Sequence, residues 1–222
     1  MKSAIKIFAL ALAFIVQQAK FESCHTEDVA ACFANATDGG RIDLVSGTMS
    51  SWDGKNEQTQ FYMQDKHVII ACNEGGETCI LKGAKGKIVV KIIASNIPGR
   101  TTLARLIIRD GDNSHGDGGG LVVYYSNVNL IMSSFVDNSC GSGGAIYVTD
   151  STMTLQGCTF EGNTVTGVGP DIYSHGETFI EKCPLGEYPH PIEVHCKHPN
   201  NQLTQSPPQR LHLNPRIQTR QL

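Results

Sequence analysis

The densest run of side chains that could do chemistry is Arg109-Asp110-Gly111-Asp112-Asn113-Ser114-His115-Gly116-Asp117. Asp110, Asp112 and Ser114 repeat the alternate spacing with which an EF-hand loop opens, so they could offer oxygen ligands to Ca²⁺. The run does not complete that loop. His115 stands where the loop needs Gly, and Leu121 where it needs Glu. What remains is a candidate surface Ca²⁺ site on Asp110, Asp112 and Asp117. The alternative is an exposed turn whose Asp side chains bond to backbone.

The second set is the eight cysteines. Cys72 and Cys79 enclose a turn-rich loop and suit a local disulfide. Cys24 and Cys32 could clamp an N-terminal cap, and Cys183 and Cys196 a C-terminal one. Cys140 and Cys158 are left as a less convincing pair. A rival reading takes Cys183, His190, His195, Cys196 and His198 as zinc ligands, although their spacing matches no regular finger.

The redox compartment decides between these readings. Residues 1–19 begin with Lys2 and Lys6 and continue from Ile7 to Val16 without a polar residue. That is the pattern of a secretory signal peptide, and it is short of the roughly 17–25 apolar residues of a spanning helix. No second apolar run follows, so the mature chain is expected to carry no transmembrane segment. Its expected place is extracellular, secreted or at a cell surface, and its cysteines are expected to be disulfides. Asn35-Ala36-Thr37 is then a glycosylation acceptor. Loss of Lys2 and Lys6 moves the formal charge from −3 to −5.

Composition narrows the function. With 222 residues, 40% apolar and 18% charged, the chain is too apolar to be disordered throughout. It lacks the basic excess of a nucleic-acid binder. Residues 197–222 carry four cations and no Asp or Glu, with Gln and Pro prominent, and read as a disordered tail.

The elements that must position these residues come from an internal repeat. Residues 112–119 (Asp-Asn-Ser-His-Gly-Asp-Gly-Gly) are echoed by 137–144 (Asp-Asn-Ser-Cys-Gly-Ser-Gly-Gly) at an offset of 25. The offset continues through Val128 and Met153, Leu130 and Leu155, and Phe135 and Phe160. Each unit is rich in strand formers bounded by Gly and Asn, and one unit alone has no face to bury. Stacked units imply an all-β, single-stranded parallel β-helix with rungs of about 25 residues. About six short rungs, a rod of roughly 25–30 Å, fit between 41 and 185. Residues 20–40 and 186–196 are expected to cap the ends. Asn113, Asn138 and Asn163 fall at one repeat position and are expected to form a structural amide ladder. Tyr147 and Tyr173 align in adjacent rungs. They form a two-ring glycan-binding strip if they face outward, and are core if they do not.

Gly143-Gly144-Ala145-Ile146 and the Phe-x-x-Asn units at Phe135–Asn138 and Phe160–Asn163 resemble the repeats of the polymorphic outer membrane proteins. Residues 106–120 resemble a coil of the secreted, right-handed β-helix proteins with a pectin-lyase-like fold. Residues 106–185 carry this resemblance. It implies a right-handed coil, and it is specific for fold rather than function. Enzymes of this fold cut acidic polysaccharides, which would make Arg109 the base of a Ca²⁺-dependent lyase. A hydrolase of this fold would need paired Asp residues and Gly-His-Gly; only Ser174-His175-Gly176 approaches it. The expected function is therefore a non-catalytic, secreted protein that binds a polysaccharide or a cell-surface protein, needing no cofactor. A small pectate-type lyase using Ca²⁺ is the alternative.

Overall fold

The computed structural model describes residues 21–24, 29–50, 58–73, 78–94, 99–176, 178–183 and 194–197. The expected signal peptide, 1–19, and all but the first residue of the expected tail, 197–222, lie outside them. Strand β1 (Phe21–Cys24) precedes the one described helix, α1 (Val29–Asn35). The coil then runs through β2 (Arg41–Leu44), β3 (Gly47–Met49) and β4 (Thr59–Gln64). It returns as β5 (Ile69–Cys72), β6 (Cys79–Lys82) and β7 (Ile88–Ile93), then as β8 (Thr101–Ala104), β9 (Leu106–Arg109), β10 (Asp112–Asp117) and β11 (Leu121–Tyr124). The next pass is β12 (Asn127–Ile131), β13 (Ser134–Val136), β14 (Ser139–Ser142) and β15 (Ile146–Thr149). After it come β16 (Thr152–Gln156), β17 (Thr159–Glu161), β18 (Thr164–Val165) and β19 (Ile172–His175), and last β20 (Phe179–Cys183) and β21 (Val194–Lys197).

Each pass places its strands beside those of the pass before, always in parallel. Four sheets result. Sheet I is β1-β2-β5-β8-β12-β16-β20, sheet II β3-β6-β9-β13-β17, sheet III β10-β14-β18 and sheet IV β4-β7-β11-β15-β19-β21. The molecule is an all-β solenoid of about 4 turns.

The core follows from alternation along each strand. Val128 and Leu130 point inward from β12, Met153 and Leu155 from β16, and all four are fully buried. Phe135 and Phe160 stack with centroids 5.3 Å apart and planes 8° from parallel. Stacked identical rings add to the area they bury, because neighbouring passes place them at the same height.

The corners use the left-handed conformation, which bends the chain in one residue. Arg105, Met132 and Gly157 occupy it between sheets I and II, at φ 58°, 48° and 62°. Asp110, Asp137 and Gly162 do so between II and III, and Tyr125, Asp150 and Gly176 between IV and I. Between III and IV the column is Gly118, Gly143 and Gly169. There a Cβ on Gly143 would stand 2.4 Å from the Ile146 carbonyl oxygen, so the position has no room for a side chain.

The register corrects the uniform offset. From Thr101–Val128 to Asn113–Cys140 the partners lie 27 residues apart, and from Asp117–Ser142 onward 25. The two extra residues form a bulge in β10 between Asn113 and Asp117. Asn113 is therefore outside the ladder expected of it. Asn138 and Asn163 do stack, with Asn138 Nδ2 donating to Asn163 Oδ1 at 3.0 Å and to the Ile108 carbonyl at 3.1 Å. Gly111 takes the place below them, its N–H donating to Asn138 Oδ1 at 3.1 Å. Asn113 instead pins the bulge, Nδ2 donating to the Asp117 carbonyl at 2.8 Å. The matched letters misled because the apolar strand β9, which sets Ile108 beside Phe135, fixes the register first.

Helix α1 covers the N-terminal end. Phe33 packs on Phe61 at 5.3 Å, and the Lys66 ammonium donates to the carbonyls of Phe33, Ala34 and Ala36, satisfying the helix's C-terminal acceptors. Disulfides join Cys24 to Cys32 and Cys72 to Cys79. Cys183 stands in sheet I, and His195 and Cys196 in sheet IV; their side chains, and the remaining zinc candidates His190 and His198, lie outside the described set.

Cys140 and Cys158 are not a pair. Both are free and buried. Cys140 donates to the Ser142 carbonyl at 2.9 Å, and Cys158 to the Leu130 carbonyl at 3.4 Å. Cys158 repeats the role that Ser133, one pass earlier, plays toward the carbonyls of Leu103 and Ile131. Burial pushes the Cys140 thiol up to about 11 and raises that of Cys158.

Two outcomes are expected. Replacing Asn138 by Ala removes the side-chain partner of the Gly111 N–H and of the Ile108 carbonyl, both on the pass before. It should lower unfolding free energy by about 2–3 kcal/mol in urea titration, while Asn113→Ala costs under about 1 kcal/mol. Equal losses would remove the distinction between the ladder and the bulge. Alkylation at about pH 8 should leave Cys140 and Cys158 unlabelled until the chain is unfolded, as read by peptide mapping.

Candidate functional site

The residues of the 109–117 run do not converge. Arg109 Nε donates to Asp110 Oδ2 at 3.0 Å, and Arg109 Nη2 reaches Asp137 Oδ2 at 3.2 Å. Lys82 Nζ lies 3.8 Å from Asp110 Oδ2. These four groups form a chain of ion pairs along the corner between sheets II and III. Asp112, half-buried, continues into sheet III beside Ser139. Asp117 stands beyond the bulge, next to sheet IV. Among the described residues no three His, Cys, Asp or Glu side chains come close enough to hold a metal ion, so Asp110, Asp112 and Asp117 do not fit a shared Ca²⁺. Arg109, occupied by two carboxylates, is not a free base. Asn35 is exposed at the end of α1, where a glycan could be attached.

The outward side of sheet IV is different. Leu121, Val123, Ile146, Val148 and Ile172 enter the core, so the residues between them face out. They form a second apolar cluster of Ile88, Val122, Tyr147 and Tyr173, with Tyr124 packed against it. Tyr147 and Tyr173 are aligned and outward. Their rings stack at 5.5 Å with planes 28° apart. Tyr124 lies 6.0 Å from Tyr147 and 6.4 Å from Tyr125. Lys91 Nζ sits 5.5 Å from the Tyr124 ring centre, within reach of a cation–π attraction. Tyr62, opposite Lys91 on β4, donates its hydroxyl to Gln64 Oε1 at 2.8 Å.

This strip perturbs its own titrating groups, as functional clusters often do. Burial raises the Asp117 carboxyl above its ordinary value, while a hydrogen bond from the Tyr147 hydroxyl and the nearby His175 imidazole oppose the rise. The Tyr124 hydroxyl is pushed up to about 12 by burial, then by Tyr147, Asp117 and Tyr125. Burial also raises Tyr147 and Tyr173 and lowers Lys91.

The stacked pair has little face left to offer a ligand: Tyr147 is 8% exposed and Tyr173 9%. The open part is the other end, where Tyr62, Lys91 and Tyr124 are half-buried and Tyr125 is 54% exposed. The sequence pointed to the tyrosines of the clear repeats but missed Tyr62 and Lys91, which lie where the repeat is degenerate. The one signal for Lys91 was a single charge inside the otherwise apolar run from Ile88 to Ile93. No protein-family model, no curated protein and no solved structure matches the chain. The site rests on its own geometry.

A carboxyl whose pKa is higher folded than unfolded makes the folded state hold more protons between the two values, so stability falls as pH rises through that window. Unfolding free energy should therefore decline as pH rises from the ordinary carboxylate value of 3.8, and Asp117→Asn should flatten the decline. Denaturant titrations of both proteins across the acidic range test it. Parallel curves would mean that Asp117 is not the group responsible.

Proposed function

We propose that this chain is a secreted, non-catalytic, right-handed single-stranded parallel β-helix of about six rungs, acting at a cell surface or in an extracellular matrix. Its coils are taken to belong with the pectin-lyase-like and polymorphic-outer-membrane-protein repeats that 106–185 resemble. It binds a glycan on the outward face of sheet IV. The two disulfides fit an extracellular protein, and no helix among the described residues is long and apolar enough to cross a membrane.

The observation that carries the reading is the group Tyr62, Lys91, Tyr124 and Tyr125. Aromatic rings accept the apolar faces of sugars, while hydroxyls and an ammonium fix the orientation. Lys91 favours a glycan that carries some negative charge. The carboxylate Asp117, by Tyr147, limits how far along the strip such a ligand extends.

Glycan-array binding of the purified chain should return anionic or mixed glycans, and Tyr62→Ala with Tyr124→Ala should weaken retention at least about tenfold, the effect of 1.4 kcal/mol. Lys91→Gln should reduce the preference for anionic ligands more than total retention. A uronide-release assay run alongside, with and without Ca²⁺, is expected to stay flat; growth of unsaturated ends would turn the assignment to a lyase.

A further inference from the structure

The outward side of sheet IV carries a cation and an anion without an ion-pair partner. Lys91 is the only Lys or Arg among the outward residues of β4, β7, β11, β15 and β19, and its ammonium rests over the Tyr124 ring. Asp117 is exposed beside the strip and accepts a hydrogen bond from the Tyr147 hydroxyl, with the half-exposed His175 imidazole nearby. Neither joins an ion pair among the described residues, whereas Arg41, Lys82 and Arg109 are each matched to Asp. Unpaired charges drawn partly out of water are costly. Both groups feel that cost, since burial holds the Lys91 ammonium below its ordinary value and the Asp117 carboxyl above it.

The fold fixes their spacing. Val122 lies between Lys91 and Tyr147 in the register. Gly118 packs so tightly on both neighbours that a Cβ there would stand 2.3 Å from Val122 Cγ2 and 3.0 Å from Tyr147 Cβ. It thereby holds Asp117, the residue before it, against the strip. Lys91 and the Tyr147–Asp117 contact are two strand spacings apart, about 10 Å, a span that one disaccharide covers. Asp65 and Asp150 occupy the opposite border, at the corner to sheet I, and act on Tyr62 and Tyr147 respectively. A polymer with negative charge alone would therefore meet one ammonium and three carboxylates. We infer that the ligand of the strip is a zwitterionic glycan, with an acidic group for Lys91 and a free amine, one disaccharide away, for Asp117. The inference rests on the glycan reading of sheet IV and narrows it. Alternating uronate and non-acetylated hexosamine residues meet the description, with their apolar ring faces on Tyr62 and Tyr124.

The test uses two forms of one uronate–hexosamine tetrasaccharide, N-acetylated and de-N-acetylated, which differ in the charge of the amine. At about pH 6.5 the amine is protonated and the uronate ionised. The immobilised full chain should retain the free-amine form at least about tenfold more tightly than the acetylated one. Asp117→Asn, which keeps an acceptor for the Tyr147 hydroxyl, should bring the two forms level. Asp117→Lys should reverse the preference, and Lys91→Gln should weaken both forms alike. Equal retention of the two forms by the wild type overturns the proposal, as does a preference that survives Asp117→Asn. An Asp117→Asn chain that retains neither form overturns it too, because Asp117 would then hold the strip together rather than read the amine. If array glycans bind through Tyr62 and Tyr124 while the free-amine form does not, the zwitterion is excluded and the glycan reading stands. Retention of no glycan at all overturns both.

Discussion

Everything in this molecule depends on each pass of the chain lying one strand spacing, about 4.8 Å, from the last, in parallel and in register. That constraint turns a column of the repeat into a row of contacts. It makes Phe135 lie on Phe160 and Asn138 bond to Asn163, and it lets Cys158 take over the hydrogen bonds that Ser133 makes one pass earlier. It also makes errors expensive, since a one-residue slip would turn Val128 and Leu130 outward together. The corners protect the register. One left-handed residue per bend fixes where a strand ends, and the columns that supply it alternate Gly with residues such as Asp110 and Asp137 that tolerate the conformation.

Where extra residues enter, the same constraint forces them outside the ladder. The bulge in β10 leaves Asn113 paired with Cys140 and Asp117 with Ser142 at different offsets, and the two extra residues fall between them. Asp117, which closes the bulge, lies at the hydroxyl of Tyr147 on the neighbouring sheet.

The sequence disclosed most where side-chain identity and strand register agree. Val128 with Met153, Leu130 with Leu155 and Tyr147 with Tyr173 could all be paired by eye, because apolar and aromatic residues recur only where they must stack. Asn113 could not be placed, since polar letters in a turn repeat for local reasons and carry little register information. Tyr62 and Lys91 were out of reach for a related reason. Passes before Thr101 share a geometry with the later ones but few residue types, because the backbone ladder tolerates any strand former. Cys140 and Cys158 looked like partners only because the other cysteines had found theirs; buried small thiols fill corner positions as serine does.

The outward columns show how a stacked fold can both stabilise itself and remain open to a ligand. A column that repeats one aromatic residue closes on itself, as Tyr147 and Tyr173 do by occupying each other's faces. The same column reads Tyr62, Lys91, Val122, Tyr147 and Tyr173 across successive strands. At Val122 the side chain shortens, and at Lys91 it becomes charged. Stacking cannot continue through either, so Tyr124 keeps part of its ring for the Lys91 ammonium and for solvent. Recognition is therefore expected at the break in the ladder rather than along its most regular part. In a solenoid, perfect repetition completes the surface, and a change of residue type opens it.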